Sequence, residues 1–306
     1  IHTTQLLRDP LFIVLMLTLV LISSSWLTGI YSWRRGLAVG SAGGATGAVL
    51  WILRTNMWEV MLGVAMLGVG LLVVRQLRER RVLVGNLIGA ALVLLIILST
   101  PQIETMFQTR SFPVNQTFEK ASAEERVASP ADVQPAASAT LTKEQATTLP
   151  SRLRARIELL RHRFTLSYPE ATSNIDTEVR FASLTDIALY LPRAVAIGFF
   201  APFPNMWFAT GKQVGLTGRV IGGLETLVMY VIEIFAVVGL WQRRRCLSVW
   251  LMILVALIGV TTLGLVVTNL GALYRMRYVF WMLLIILGVE GAKQVLSSTL
   301  FTRSQT

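Results

Sequence analysis

The stretch "SLTDIALYLPRAVAIGFFAPFPNMWF", Ser183 to Phe208, decides how many times this chain crosses a membrane. It is apolar enough to pass for a span, yet Pro192 and Arg193 sit in its middle and Pro202 and Pro204 close it. A proline inside a helix removes a backbone hydrogen bond and kinks it, and an unpaired arginine at mid-bilayer is costly. We therefore expect a break at Pro192, with Leu184 to Phe203 forming a re-entrant or interfacial element that does not span.

On either side the sequence is plainly that of a membrane protein. Of 306 residues 54% are hydrophobic and 15% charged, with a mean hydropathy of +0.61, more apolar surface than one soluble core can hide. A span needs about 20 apolar residues. Four such runs come first, Leu11 to Tyr31, Gly36 to Leu53, Met57 to Val74 and Val82 to Ser99, and three follow, Gly222 to Trp241, Leu247 to Val267 and Tyr278 to Leu296. The expected fold is an all-α polytopic transmembrane bundle of about seven spans with one re-entrant segment and a long extracytoplasmic loop. Residues 1–100 and 218–297 form the membrane domains, 101–182 the loop, 183–217 the re-entrant or interfacial segment and 298–306 a cytoplasmic tail. Within the loop, residues 121–150 are rich in Ala, Ser, Thr and Pro and read as a disordered linker. Residues 151–164 follow as an amphipathic helix whose basic face, Arg152 to Arg163, suits lipid headgroups. Glycines spaced by four, Gly36, Gly40 and Gly44, then Gly85 and Gly89, mark close helix packing.

The net charge of +11 does not point to nucleic acid, because the arginines cluster in short tracts beside apolar runs. Such tracts mark the cytoplasmic side. "RQLRERR", Arg75 to Arg81, places the third loop inside, Arg34 and Arg35 with it, and the amino terminus outside. If the deciding stretch does not span, Arg243 to Arg245 are also cytoplasmic and Arg275 with Arg277, in "NLGALYRMRY", face the other side. One cysteine and two histidines exclude a disulfide framework and leave no metal site, and no cofactor motif is present, neither Walker A nor GxGxxG. The chain opens on Ile1 without a signal-peptide n-region, as a fragment or processed form would.

Arg275 and Arg277 have no topological reason to lie outside, and an arginine pair suits bidentate recognition of phosphate or carboxylate. They are the first candidates for substrate phosphate binding, followed by Arg193 and Arg54. A base able to deprotonate an acceptor hydroxyl is sought among Glu225, the best placed, Asp186 and Glu59. Glu233 and Glu290 lie deeper and read first as structural, Glu290 pairing with Lys293 one turn on.

"LYLPRAVAIGFFAPFPNMWF", the following "GGLETLVMYVIEIFAVVGLW" and "NLGALYRMRYVF" together resemble the carboxy-terminal halves of bacterial polytopic proteins of exopolysaccharide and O-antigen biosynthesis, over roughly residues 180–291. These are membrane glycosyltransferase-like or O-antigen polymerase-like. The resemblance implies an inner-membrane enzyme acting on polyprenyl-phosphate-linked glycans at the periplasmic face, alongside membrane lipids and other polysaccharide-assembly proteins. External arginines and a large periplasmic loop fit the polymerases and ligases. The acidic residue that the dolichyl-phosphate-sugar type of transferase carries in its first external loop has no counterpart here. Two other readings compete: a permease or flippase subunit for lipid-linked glycans, and a non-catalytic assembly partner.

Overall fold

The computed structural model describes residues 2–54, 58–110, 149–167, 173–208 and 215–303. They form nine α-helices: α1 (His2–Thr28), α2 (Trp33–Leu53), α3 (Trp58–Glu79), α4 (Val84–Arg110), α5 (Leu149–Ser167), α6 (Leu184–Phe200), α7 (Leu216–Gln242), α8 (Leu247–Val266) and α9 (Leu270–Arg303). All but α5 and α6 are long and apolar enough to cross a membrane, so the chain is a multi-pass membrane protein with seven candidate spans. The linker at 121–150 lies outside the described residues except for its last two positions, which begin α5.

Glycines set the spacing where helices touch. A side chain at Gly36 would run into the Gly85 carbonyl and one at Gly40 into that of Gly89, so α2 and α4 pack backbone to backbone. Parallel helices α7 and α9 do the same at Gly239, Gly288 and Gly291. Between these pairs, Met16 and Leu19 of α1, Met61 and Leu72 of α3 and Leu251 and Val255 of α8 are buried in one continuous core.

The helix ends sort into two sets. On one side Arg75 donates to the carbonyls of Trp26 (2.8 Å) and Gly29 (2.7 Å), joining the ends of α1 and α3. Asn86 reaches the same two carbonyls, and Arg243 pairs with Glu290. On the opposite side Arg54 pairs with Asp9, Arg156 of α5 pairs with Glu59 at 2.7 Å, and Ile175 bonds the Thr268 carbonyl at 2.8 Å. The arginine tracts after α3 and α7 thus share one side, as the two spans between them, α4 and α7, require, and α5 caps the other.

The deciding stretch enters from the α5 side and returns to it. Ala194 of α6 sits against Gly264 of α8 and Gly198 against Val260, so α6 runs down antiparallel to α8. Gly198, near the tip of α6, lies about 9 Å below the end of α8, six residues at the helical rise. The chain then climbs back through a 3₁₀ turn (Pro204–Met206) to Trp207, whose ring covers Gly223, and reaches α7. The helix does not break at Pro192. Pro192 is exposed on α6, where it forgoes one hydrogen bond, and the helix continues to Phe200.

Three further expectations are corrected. "NLGALYRMRY" is not a loop between spans, because α9 begins at Leu270 and carries both arginines in its first turns. The basic helix turns arginines toward the protein: Arg161 is buried, and Arg154 donates to the Phe181 carbonyl. Glu290 pairs with Arg243 at the end of α7, where Lys293 of its own helix was the expected partner.

Candidate functional site

A cavity of about 390 Å³ opens where α7 and α9 begin and the returning segment after α6 crosses them. Pro202, Met206 and Trp207 wall it from the α6 side, Ile221 and Gly222 from α7, and Leu270 and Gly271 from α9. Its charged lining is Arg219, Glu225 and Arg275. Gly222 meets nothing within 4 Å where a side chain would stand, so its smallness serves the opening rather than packing. Ile221 is exposed within the apolar outer row of α7 formed with Leu224 and Val228, so one wall borders lipid.

Parallel packing of α7 and α9 brings the polar groups together. Glu225 accepts a hydrogen bond from the Tyr278 hydroxyl at 2.5 Å, and Tyr274 donates to the Gly222 carbonyl at 3.2 Å. The rings of Tyr274, Tyr278 and Trp281 stack edge to face in one cluster. Both helices present their amino termini here, and Gly215, the N-cap of α7, supplies no side-chain cap. Unsatisfied N–H groups and the aligned peptide dipoles make such an end favourable to anions.

The expected site residues divide. Glu225 and Arg275 line the cavity; Arg275 is exposed and makes no ion pair or hydrogen bond among the described residues. Arg277 does not join them. Two residues apart on a helix, side chains project about 200° from one another, and Arg277 turns to the other side of Tyr274, wholly buried. There its Nη1 donates to the Gly198 carbonyl at 3.2 Å and to that of Ala201, capping the tip of α6, while its guanidinium stacks on Tyr274 and Trp281, 4.4 and 3.9 Å from their centroids.

The remaining candidates are committed elsewhere. Asp186 forms a capping box with Ser183, giving and receiving bonds of 3.1 and 2.8 Å at the start of α6. The bonds from Ser183 hold its carboxyl below the usual carboxylate range, the wrong direction for a general base. Glu59 is engaged by Arg156, and Arg54 by Asp9 and the face of Phe12. Arg193 grips Asp176 through Nε (3.0 Å) and Nη2 (3.4 Å) and lies over the ring of Phe203. Burial would raise Asp176, but the bonds from Arg193 and from Tyr190 at 2.9 Å, with the charges of Arg193 and Arg161, outweigh it and leave the carboxyl below its ordinary value.

Comparison with protein-family models, curated proteins and solved structures found no match for this chain. Among the described residues no group of three His, Cys, Asp or Glu could hold a metal ion.

Arg219 and Trp207 were not singled out from sequence. A signal existed for Arg219. It follows Gly218 and precedes Gly222 by one turn, at the start of an apolar run where it adds nothing to spanning.

Proposed function

We propose that the protein binds a polyprenyl-phosphate-linked sugar in this cavity, at the extracytoplasmic face of a bacterial inner membrane, and transfers the glycosyl group in cell-surface polysaccharide assembly. One observation carries the reading: Arg219, Arg275 and Glu225 share a cavity that has an apolar wall toward lipid and two helix amino termini at its mouth. An amphipathic anion fits such a place, with its chain in the bilayer and its phosphate at the arginines. In the reaction an acceptor hydroxyl oxygen attacks the anomeric carbon and the carbon–oxygen bond to phosphate breaks. The electron pair leaves on the phosphate oxygen, where Arg275 and Arg219 offset the charge. Glu225, oriented by Tyr278, takes the hydroxyl proton.

The test is product formation in cells or membranes carrying Arg275→Ala or Glu225→Gln. Both should lose polymer or transfer product, by about a hundredfold or more, at unchanged expression and insertion. Normal product from both variants would remove the assignment. Substrate that still binds and moves across the membrane without being transferred would make the protein a permease.

A further inference from the structure

Among the described residues six buried side-chain nitrogen or oxygen atoms have no hydrogen-bond partner, and four of them belong to three residues: Arg277 Nε and Nη2, Trp281 Nε1 and Glu233 Oε1. Buried polar groups are nearly always satisfied, so such a concentration calls for an occupant. The three belong together. Arg277 stacks on Trp281, and the Glu233 carboxylate and Arg277 interact electrostatically. Tyr230, one turn before Glu233, donates to the Phe200 carbonyl at 2.6 Å. The cluster therefore surrounds the tip of α6, separated from the cavity by Tyr274 and Pro202.

The vacant pair on Arg277 is specific. Nε and Nη2 form one straight edge of the guanidinium, the side that meets two oxygens of a carboxylate or phosphate in parallel bonds. At two exposed arginines that same edge meets a carboxylate, and at the buried Arg161 it meets two backbone carbonyls. Arg193 uses it on Asp176, and Arg156 on Glu59 at 3.1 and 2.7 Å. On Arg277 only Nη1 is spent, on the carbonyls of the α6 tip.

We propose that Arg277, Trp281 and Glu233 form a second, membrane-buried site that takes a two-oxygen anion, a phosphate or carboxylate group, on the free edge of Arg277. Trp281 Nε1 supplies a further donor, and Glu233 borders the site. The site is distinct from the cavity mouth and does not depend on glycosyl transfer taking place there.

The experiment measures binding of geranyl phosphate, a lipid-borne phosphate, and of inorganic phosphate, by calorimetry on the whole chain in phosphate-free maltoside micelles. Arg277→Lys keeps a cationic donor for the α6 carbonyls and loses the two-nitrogen edge; Trp281→Phe keeps the ring stack and loses the N–H. Arg275→Ala tests the mouth separately. Geranyl phosphate should bind about tenfold more weakly to Arg277→Lys and severalfold more weakly to Trp281→Phe, with melting temperatures close to wild type, and should retain a binding event in Arg275→Ala. Competition by inorganic phosphate would show that the site takes the bare anion; failure to compete would show that it needs the lipid chain. Wild-type affinity in both Arg277→Lys and Trp281→Phe, complete loss in Arg275→Ala, or no binding of either probe to the wild type would overturn the proposal.

Discussion

Arg161 and Arg277 are two versions of the same device with different amounts left over. Each is fully buried, each lies between two aromatic rings, and each satisfies the carbonyl end of a helix. Arg161, on the α5 side, spends all three of its nitrogens: Nη1 on Leu265 at the end of α8 (2.7 Å), Nη2 on Asp176 (2.6 Å) and Nε on Val179 (3.3 Å). Arg277, at the tip of α6, spends one. Helix carboxy-terminal carbonyls carry partial negative charge and lack partners, so both positions explain why an arginine stands there. Only Arg161 is explained completely.

The largest expected effect is on Arg161. Arg161→Ala should cost about 3 kcal/mol or more, since three carbonyls lose a charged donor in a buried place, and α5 should become protease-sensitive; a melt within a degree of wild type would refute its role. The lysine pair sharpens the contrast. Arg161→Lys should lose about 2 kcal/mol, because a single ammonium cannot reach three diverging carbonyls. Arg277→Lys should lose less than about 1 kcal/mol, because one nitrogen already does the capping. Equal losses in thermal melts of the two lysine variants would break the comparison.

Acid gives a smaller effect on the Arg161 side alone. Asp176 is held below its ordinary value, so the stability it lends is complete above the ordinary carboxylate range and disappears as pH falls through its lowered, folded value. Protection of amides in α5 and at Ile175 against hydrogen exchange should therefore fall below about pH 4, and Asp176→Asn should remove that loss of protection. An unchanged acid profile in Asp176→Asn would count against the network. A last measurement perturbs nothing and places the pair. Cys246, exposed at the start of α8 beside Arg243 to Arg245, should resist a membrane-impermeant maleimide in spheroplasts and react after permeabilisation. Labelling from outside would put Arg161 and the cavity mouth in the cytoplasm.

Span number was legible because length and hydropathy are nearly sufficient for it. The non-spanning nature of the Ser183–Phe208 stretch was legible from its prolines, although Pro192, the residue that raised the suspicion, sits harmlessly on an exposed face and the chain turns back at Ala201 and Pro202. The arginines were misread for one physical reason. Beside an apolar run a basic residue looks solvated or bound to lipid, and sequence does not reveal that a distant helix end offers carbonyls to receive it. Arg161 finds Leu265, 104 positions away, and Arg277 finds Ala201, 76 positions away. The candidate pair Arg275 and Arg277 failed as a pair once α9 began at Leu270, since helical geometry sends the two apart. Glu225 and Arg275 met because glycines let α7 and α9 run parallel and close, a pairing that spacing within either helix does not encode.

The separation between Arg277 and the carbonyls it caps also sets an order of events during synthesis. When α6 leaves the ribosome its tip has no donor for Gly198 or Ala201, and α5 has no Leu265 to grasp. At about 5–20 residues per second those partners arrive several seconds later. In the meantime α1 to α4 can already assemble through their own glycine contacts and the Arg75 and Asn86 bonds. The short helix that dips into the bilayer is then the last piece to seat, drawn into place by a helix made after it.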